Sequence, residues 1–256
     1  MSHVTDLAHA LTDARARPEG AALPEELGLT DAYRVQADAF AQRAQALAGW
    51  KIGVTGTGIR QALGAEEPTA GRLAISDIVR APVSAITIGD ARETYVEGEL
   101  VFEMARALLP QDAPFSPEQV AQATGALHVG IEIVTSRFVH DDLPLGLLIA
   151  DNCMADRLFI GDRIADGWDD RFAALPVVLS GPGAHRREGA TADVFGNPLL
   201  AVTWLANWLA GQGLALEPGQ WVSSGTCTGV TPVKAGDRVS VDLGGLGSAT
   251  IEFVSE

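Results

Sequence analysis

Glu97 and Glu99 are separated by one glycine in Val96-Glu97-Gly98-Glu99-Leu100, inside a segment that otherwise reads as a buried strand. Alternation over Tyr95 to Phe102 puts Val96, Gly98, Leu100 and Phe102 on one side and both glutamates on the other. Side chains at i and i+2 of a strand stand roughly 7 Å apart at the backbone. Two carboxylates facing the same way repel each other unless a positive charge lies between them, and a hard divalent cation is the usual answer. The competing reading is an edge strand with a solvated acidic face. Glu132 tips the balance. In Ala126 to Ser136, Val129, Ile131 and Ile133 share one face, and His128, Gly130, Glu132 and Val134 share the other. Glu132 is thus a lone acid flanked by isoleucines, a poor place for a purely structural charge. Three carboxylates from two strands supply half of an octahedral oxygen shell and leave room for water and a chelating substrate. Such a set suits Mg²⁺ or Mn²⁺ better than zinc. His128 has the right side for a fourth ligand, but a histidine hydrogen-bonded within the core is the favoured reading.

Three further segments hold residues able to do chemistry. Lys51 lies inside the short apolar strand Trp50 to Val54. An ammonium there is unstable unless paired, so Lys51 is either a salt-bridge partner or a tuned proton donor, and the residues alone leave these readings even. Asp151, in Ala150-Asp151-Asn152-Cys153, either orients a water or substrate or closes a helix end. The stretch Gly225 to Val233 is rich in hydroxyls and glycine; its N–H groups can hold a carboxylate, or it is simply a turn.

These residues must be positioned by a chain of 256 residues, long enough for one large domain or a main domain with a small appendage. Its 47% hydrophobic content, 28 glycines and 13 prolines fit a compact fold with many turns. With 18 basic and 33 acidic residues the net charge is −15, which disfavours nucleic acid and anionic membranes as partners. A small anionic substrate would have to be met locally, by a metal or a few placed cations. The apolar run Leu143 to Ala150 is far short of the roughly 20 residues that span a bilayer. Met1 to Glu19 is amphipathic and charged, unlike a signal peptide, so a soluble cytoplasmic protein is expected. Cys153 and Cys227 are the only cysteines, which argues against a disulfide framework or a cysteine metal site.

Amphipathic helices are predicted over Val4 to Arg15 and Asp31 to Ala48, the second capped by Thr30. A helical turn follows over Gly58 to Leu63. From Leu73 onward strands dominate: Ile86 to Ile88, Tyr95 to Phe102, Leu127 to Val134, Arg157 to Ile160, Leu175 to Leu179, Trp221 to Ser223, Arg238 to Leu243 and Ala249 to Val254. Ser116-Pro117-Glu118-Gln119 opens a helix of about two turns, and Leu199 to Ala210 is a second, apolar nearly all round. Ala235-Gly236-Asp237 reads as a turn before a late hairpin whose loop is Gly244 to Gly247. The βαβ alternation of a doubly wound fold is missing. The expectation is an α+β protein, with a small helical N-terminal region (residues 1–70) on a mixed β core (residues 71–256).

Lys51 to Thr55, Ile75-Ser76-Asp77, Val96 to Glu99, Ile131 to Arg137, Ala150 to Asn152, Gly196 to Leu199 and Ala235 to Asp237 occur in an order and spacing that resemble the 2-keto-4-pentenoate hydratase family. With its relative 4-oxalocrotonate decarboxylase, this family belongs to the fumarylacetoacetate hydrolase superfamily. The resemblance runs from about Leu27 to the C-terminus. It implies a mixed β-roll or sandwich core, a homo-oligomer, and a lyase of aromatic catabolism acting on a 2-oxo acid. It implies that Glu97, Glu99 and Glu132 bind Mg²⁺ or Mn²⁺, that Lys51 is an active-site lysine and that Asp77 lines the same cavity. Two departures bear on substrate identity: Tyr95 stands where relatives often have a basic residue, and the Thr226-Cys227-Thr228 loop is not the one associated with the hydratases.

The leading expectation is hydration of a 2-hydroxy-2,4-dienoate to a 4-hydroxy-2-oxo acid. The metal would chelate the carboxylate and 2-oxygen, Lys51 would shuttle a proton, and Asp77 or Asp151 would position the water. Rival chemistries on the same scaffold are decarboxylation of a 2-oxo-3-enedioate and hydrolysis of an acylpyruvate, the latter needing a base such as His128 or His185. A metal-stabilised subunit that only binds a partner enzyme is the rival from outside catalysis.

Overall fold

The alternating segments pair with one another, and their register brings the acidic residues together. The computed structural model describes residues 3–17, 20–24, 26–89, 92–183 and 185–255. Its strands are β1 Leu47–Gly53, β2 Thr69–Ala74, β3 Ile78–Arg80, β4 Ala85–Ile88, β5 Thr94–Met104, β6 Thr124–Thr135 and β7 Ala155–Ala165. After them come β8 Pro176–Ser180, β9 Arg186–Ala190, β10 Trp221–Thr226, β11 Thr231–Val233, β12 Arg238–Leu243 and β13 Ser248–Ser255. The helices are α1 His3–Ala14, α2 Leu29–Gln42, α3 Thr57–Leu63, α4 Pro117–Ala123, α5 Leu145–Ala150 and α6 Pro198–Gly211.

The larger sheet runs β2-β1-β10-β5-β6-β7-β3, with β11 paired to the far end of β5. It is antiparallel except at β1/β10 and β3/β7. A second sheet, β4-β13-β12-β8-β9, packs on its apolar face. The two approach closely at Gly98, where an added Cβ would lie 3.2 Å from both Val241 methyls. The large sheet also curls, so that β2 meets β7. Asn152 bridges that meeting: its Oδ1 accepts from Arg72 N at 2.7 Å and its Nδ2 donates to Arg72 O at 2.8 Å. An α+β fold with a two-sheet β-roll core is therefore what the alternation produced.

Local rules account for most helix ends. Ser116 Oγ accepts from Gln119 N while Gln119 Oε1 accepts from Ser116 N at 2.8 Å, the reciprocal cap expected for α4. Asn197 caps α6 through Leu199 N, with Pro198 in the first helical position. One helix was overdrawn. α2 starts at Leu29 behind Gly28, so Thr30 lies inside it and caps nothing, and it stops at Gln42 because Ala44 turns left-handed (φ 51°) on the way into β1. Buried on nearly every side, α5 shows no helical periodicity and was invisible as a helix. The expected boundary at residue 70 falls inside β2, and β1 and β2 both lie in the large sheet. Helices α1, α2 and α5 share a small apolar core of their own, around Leu7, Val35 and Leu147. No helix among the described residues is long and apolar enough to cross a membrane.

Candidate active site

Register places the three glutamates. In the β5/β6 ladder Glu97 stands directly opposite Glu132, and Glu99 lies opposite Gly130, one diagonal step away. Carboxylate oxygens of all three fall within 4.8 Å of one another, and all three residues are buried. Gly130 keeps that face open: a Cβ there would come within 2.4 Å of Val101. Behind the cluster, Ser223 Oγ on β10 donates to Glu99 Oε2 at 2.5 Å, and Gly225 N donates to the same oxygen at 2.9 Å.

Lys51 reaches the cluster from β1, three strands from β6. A flat sheet would set those strands about 14 Å apart; the curl and two long side chains close the gap, and Lys51 Nζ lies 3.1 Å from Glu132 Oε1. Gly71, opposite Lys51 on β2, makes room for the lysine stem, since a Cβ there would lie 2.9 Å from Lys51 Cγ. Nζ also donates to the Cys153 carbonyl at 3.1 Å. That carbonyl is aimed by an unusual turn in which Asn152, Cys153 and Met154 all take positive φ, 55°, 55° and 59°. Non-glycine residues in that region cost about 1–3 kcal/mol each, and the Asn152 bridge and the buried Cys153 hold them there. Sequence reasoning missed this turn, because nothing in Asn-Cys-Met marks three successive left-handed residues.

The electrostatics are those of a cation site. Burial, opposed by Lys51 and reinforced by Glu132, pushes Glu97 up to about 7. Glu99 is raised well above the usual carboxylate range by burial, then by Glu132 and Glu97. Burial disfavours the Lys51 ammonium, but Glu132 and Glu97 outweigh it and hold its pKa above the ordinary lysine value. Glu99 Oε1 and Glu132 Oε2 are buried without any partner, and Glu132 Oε1 meets Lys51 as an ion pair without hydrogen-bond alignment. Buried anionic oxygens left unpaired are costly, and a divalent cation would satisfy them; the donor set is all oxygen, as Mg²⁺ and Mn²⁺ prefer. Glu97 and Lys51 open onto a cavity of about 670 Å³, together with Thr226, Thr228 and a rim of apolar side chains.

The other expected residues lie elsewhere. Asp77 does not line that cavity: Arg43 grips its carboxylate at 2.7 and 2.5 Å, and Ala74 N donates to it at 2.9 Å. Asp151 is likewise spent on Arg137, whose Nε and backbone N donate to its two oxygens at 2.6 and 2.9 Å. Both acids are therefore corrected from water-positioning to structural roles. His128 shares the glutamates' face but sits four residues along β6, against Trp221 and 3.6 Å from Glu103. His185 is exposed next to Gly181 and outside the cavity lining. Tyr95 donates to Asp141 at the surface. Both cysteines are free and buried.

Residues 60–254 match the family described as "Fumarylacetoacetate (FAA) hydrolase C-terminal". The chain belongs to the fumarylacetoacetate hydrolase family. Within that family it is 34% identical over 235 residues to the TodF product hydratase of Pseudomonas putida, covering 89% of this chain and 85% of that one. It is 28% identical over 232 residues to the 2-hydroxyhexa-2,4-dienoate hydratase of Comamonas testosteroni, covering 89% and 87%. Among solved structures it resembles the 4-oxalocrotonate decarboxylase of Pseudomonas putida G7 complexed with magnesium and adipate, at a TM-score of 0.88 and 26% identity over 98% and 97% of the two chains. The rolled sheet that delivers Lys51 to the glutamates is thus a fumarylacetoacetate hydrolase family fold.

Proposed function

We propose that this protein is a hydro-lyase that adds water to a 2-hydroxy-2,4-dienoate to give a 4-hydroxy-2-oxo acid. One observation carries the reading: a buried, incompletely satisfied three-carboxylate cluster with Lys51 3.1 Å from one of its oxygens, open to a cavity. The hydratases among its relatives support it. Glu97, Glu99 and Glu132 would hold a divalent cation, Mg²⁺ or Mn²⁺, which would supply Lewis-acid stabilisation for negative charge developing on the substrate.

The chain's own part begins at Lys51. Its Nζ is kept protonated by Glu132 and aimed by the Cys153 carbonyl, and it moves the proton between the 2-hydroxyl and C5 that turns the dienol into a 2-oxo-3-enoate. The remaining alkene is then electrophilic at C4, where water adds, its oxygen bonding C4 and a proton going to C3. The hydroxyl of Thr226, which lines the cavity, would hold that water. A homo-oligomer in the cytoplasm is what the family resemblance adds to this proposal.

Incubation of purified protein and Mg²⁺ with 2-hydroxypenta-2,4-dienoate, followed by mass spectrometry, tests it. A product heavier by one water is expected. Release of CO₂ from a 2-oxo-3-enedioate with no hydration of dienoates would replace it with the decarboxylase reading, which the shape match to 4-oxalocrotonate decarboxylase favours.

A further inference from the structure

A chain with 33 acidic and only 18 basic residues gathers four of its arginines around one hollow. Arg15 and Arg17 follow α1, Arg92 precedes β5 and Arg157 lies near the start of β7. Together they line a cavity of about 280 Å³ that shares no described lining residue with the cavity beside Glu97. Asp156 is the single acid among its described lining residues.

Most of the guanidinium donors there are unspent. Arg157 Nε donates to Asp156 at 2.9 Å, and neither of its Nη atoms has a hydrogen-bond partner among the described residues. Arg15 stands 4.0 Å from the same carboxylate and donates to the Ala155 carbonyl at 3.2 Å. Arg92 donates to the Ser136 carbonyl at 3.3 Å. Arg17 meets Asp13 in an exposed ion pair, which contributes little. Each guanidinium carries five N–H groups, so these contacts leave several turned to no acceptor.

Nor are these loose surface charges. The side chains of Arg15, Asp156 and Arg157 are 23%, 20% and 28% exposed. Burial, then the nearby Arg137, brings Arg15 down to about 9, and the same two causes lower Arg92. Cations crowded partly out of water are unfavourable until negative charge joins them. Thr94, the first residue of β5, points to the same need independently. It is 6% exposed and lines the hollow, and its hydroxyl has no hydrogen-bond partner among the described residues. An oxyanion in the hollow would accept from it. Planar guanidinium forks match the oxygens of a phosphate, whose two negative charges answer the excess of cations better than a carboxylate's one.

We propose that this hollow binds a phosphate group, free or carried on a small organic molecule, held by Arg15, Arg92 and Arg157 with Thr94 donating to one of its oxygens. The site is independent of the reaction proposed above.

Calorimetric titration of the purified chain with inorganic phosphate, ribose 5-phosphate and acetate, at low and constant ionic strength, tests it. Prior removal of metal ions keeps the anions from binding through Glu97, Glu99 and Glu132. One phosphate or one ribose 5-phosphate should bind per chain, about tenfold or more tighter than acetate; the tighter of the two names the source. Arg92→Gln and Arg157→Gln should each weaken that binding about tenfold or more. Thr94→Val removes only the hydroxyl and should weaken it several-fold, which keeps the test open if an arginine variant fails to fold. Lys51→Met should leave the affinity within about twofold, as expected of a distant site. Absence of binding by either phosphate up to about 10 mM overturns the proposal. So does acetate binding as tightly as phosphate, or a loss in Lys51→Met, which would place the anion beside the glutamates. Arginine variants that keep phosphate affinity but change the number of subunits would assign the hollow to an acidic segment of a second copy, and also overturn it.

Discussion

Arg137 with Asp151, and Lys51 with the three glutamates, are both groups of buried charge around the start of β7, and they are completed to different degrees. Around Arg137 every polar atom is used: both Asp151 carboxylate oxygens accept from it, Nη1 donates to Ala155 O at 2.8 Å and Nη2 donates to Asp151 O. Around Lys51 one cation faces three carboxylates, and buried oxygens of Glu99 and Glu132 remain without partners. A saturated pair holds a loop; an unsaturated one reserves its bonding capacity for something that arrives later. The difference between a structural and a functional buried charge here lies in the count of partners and not in burial or residue type.

The largest expected effect tests the unsaturated side. With Mg²⁺ present, Glu99→Gln should lower turnover by about 10³-fold or more, while the metal-free variant melts a few degrees higher because the cost of burying that carboxylate is gone. Retained activity with a lower melting point would make the cluster a structural one and erase the contrast. On the saturated side, Arg137→Met should cost about 3–5 kcal/mol in urea unfolding, since it strands Asp151, and Arg137→Met with Asp151→Leu should recover much of that loss. If the single change is neutral, the pair is not the fastening described above.

The pH dependence of the metal-free protein sharpens the same point. Glu97 ordinarily titrates near 4.5 and is held up to about 7 in the fold. Between those values the folded state keeps a proton that the unfolded chain has released, so this group's contribution to stability is present at low pH and declines as pH rises through the window. The slope is at most about 1.4 kcal/mol per pH unit. Added Mg²⁺ should therefore raise the melting temperature more above pH 7 than near pH 5; equal increments would show that Glu97 does not feel the cation. The smallest effect concerns the underside of the site. Gly98→Ala would put a methyl 3.2 Å from Val241 and 3.3 Å from Thr228, costing about 1 kcal/mol in stability. No loss would mean that the two sheets give way there.

Much of the chain could be read from local pattern. Period-two alternation marked β5 and β6 and sorted Glu97, Glu99 and Glu132 onto one face each, because on a strand the side of every residue is set by its neighbours two away. The cap at Ser116 and the turn glycines marked α4 and the β12–β13 loop for the same local reason, and an apolar run marked α6. Short or uniformly buried elements such as α5, β9 and β11 carried no such period.

What alternation could not supply was pairing. That Glu97 stands opposite Glu132 depends on register between strands distant in sequence, and that Lys51 reaches them depends on the curl of the large sheet and on a left-handed turn at Asn152 to Met154. The separation of Lys51 from Asp77 and Asp151 was likewise decided in three dimensions. All three are charged residues in apolar surroundings, and only the fold shows that Arg43 and Arg137 meet the two aspartates in full while Lys51 is left to face more negative charge than it can neutralise. The sequence by itself determined which residues face which way, since that follows from backbone geometry within each element. The tertiary structure alone decided which charges meet and which oxygens stay open, because those are counts of partners brought from far along the chain.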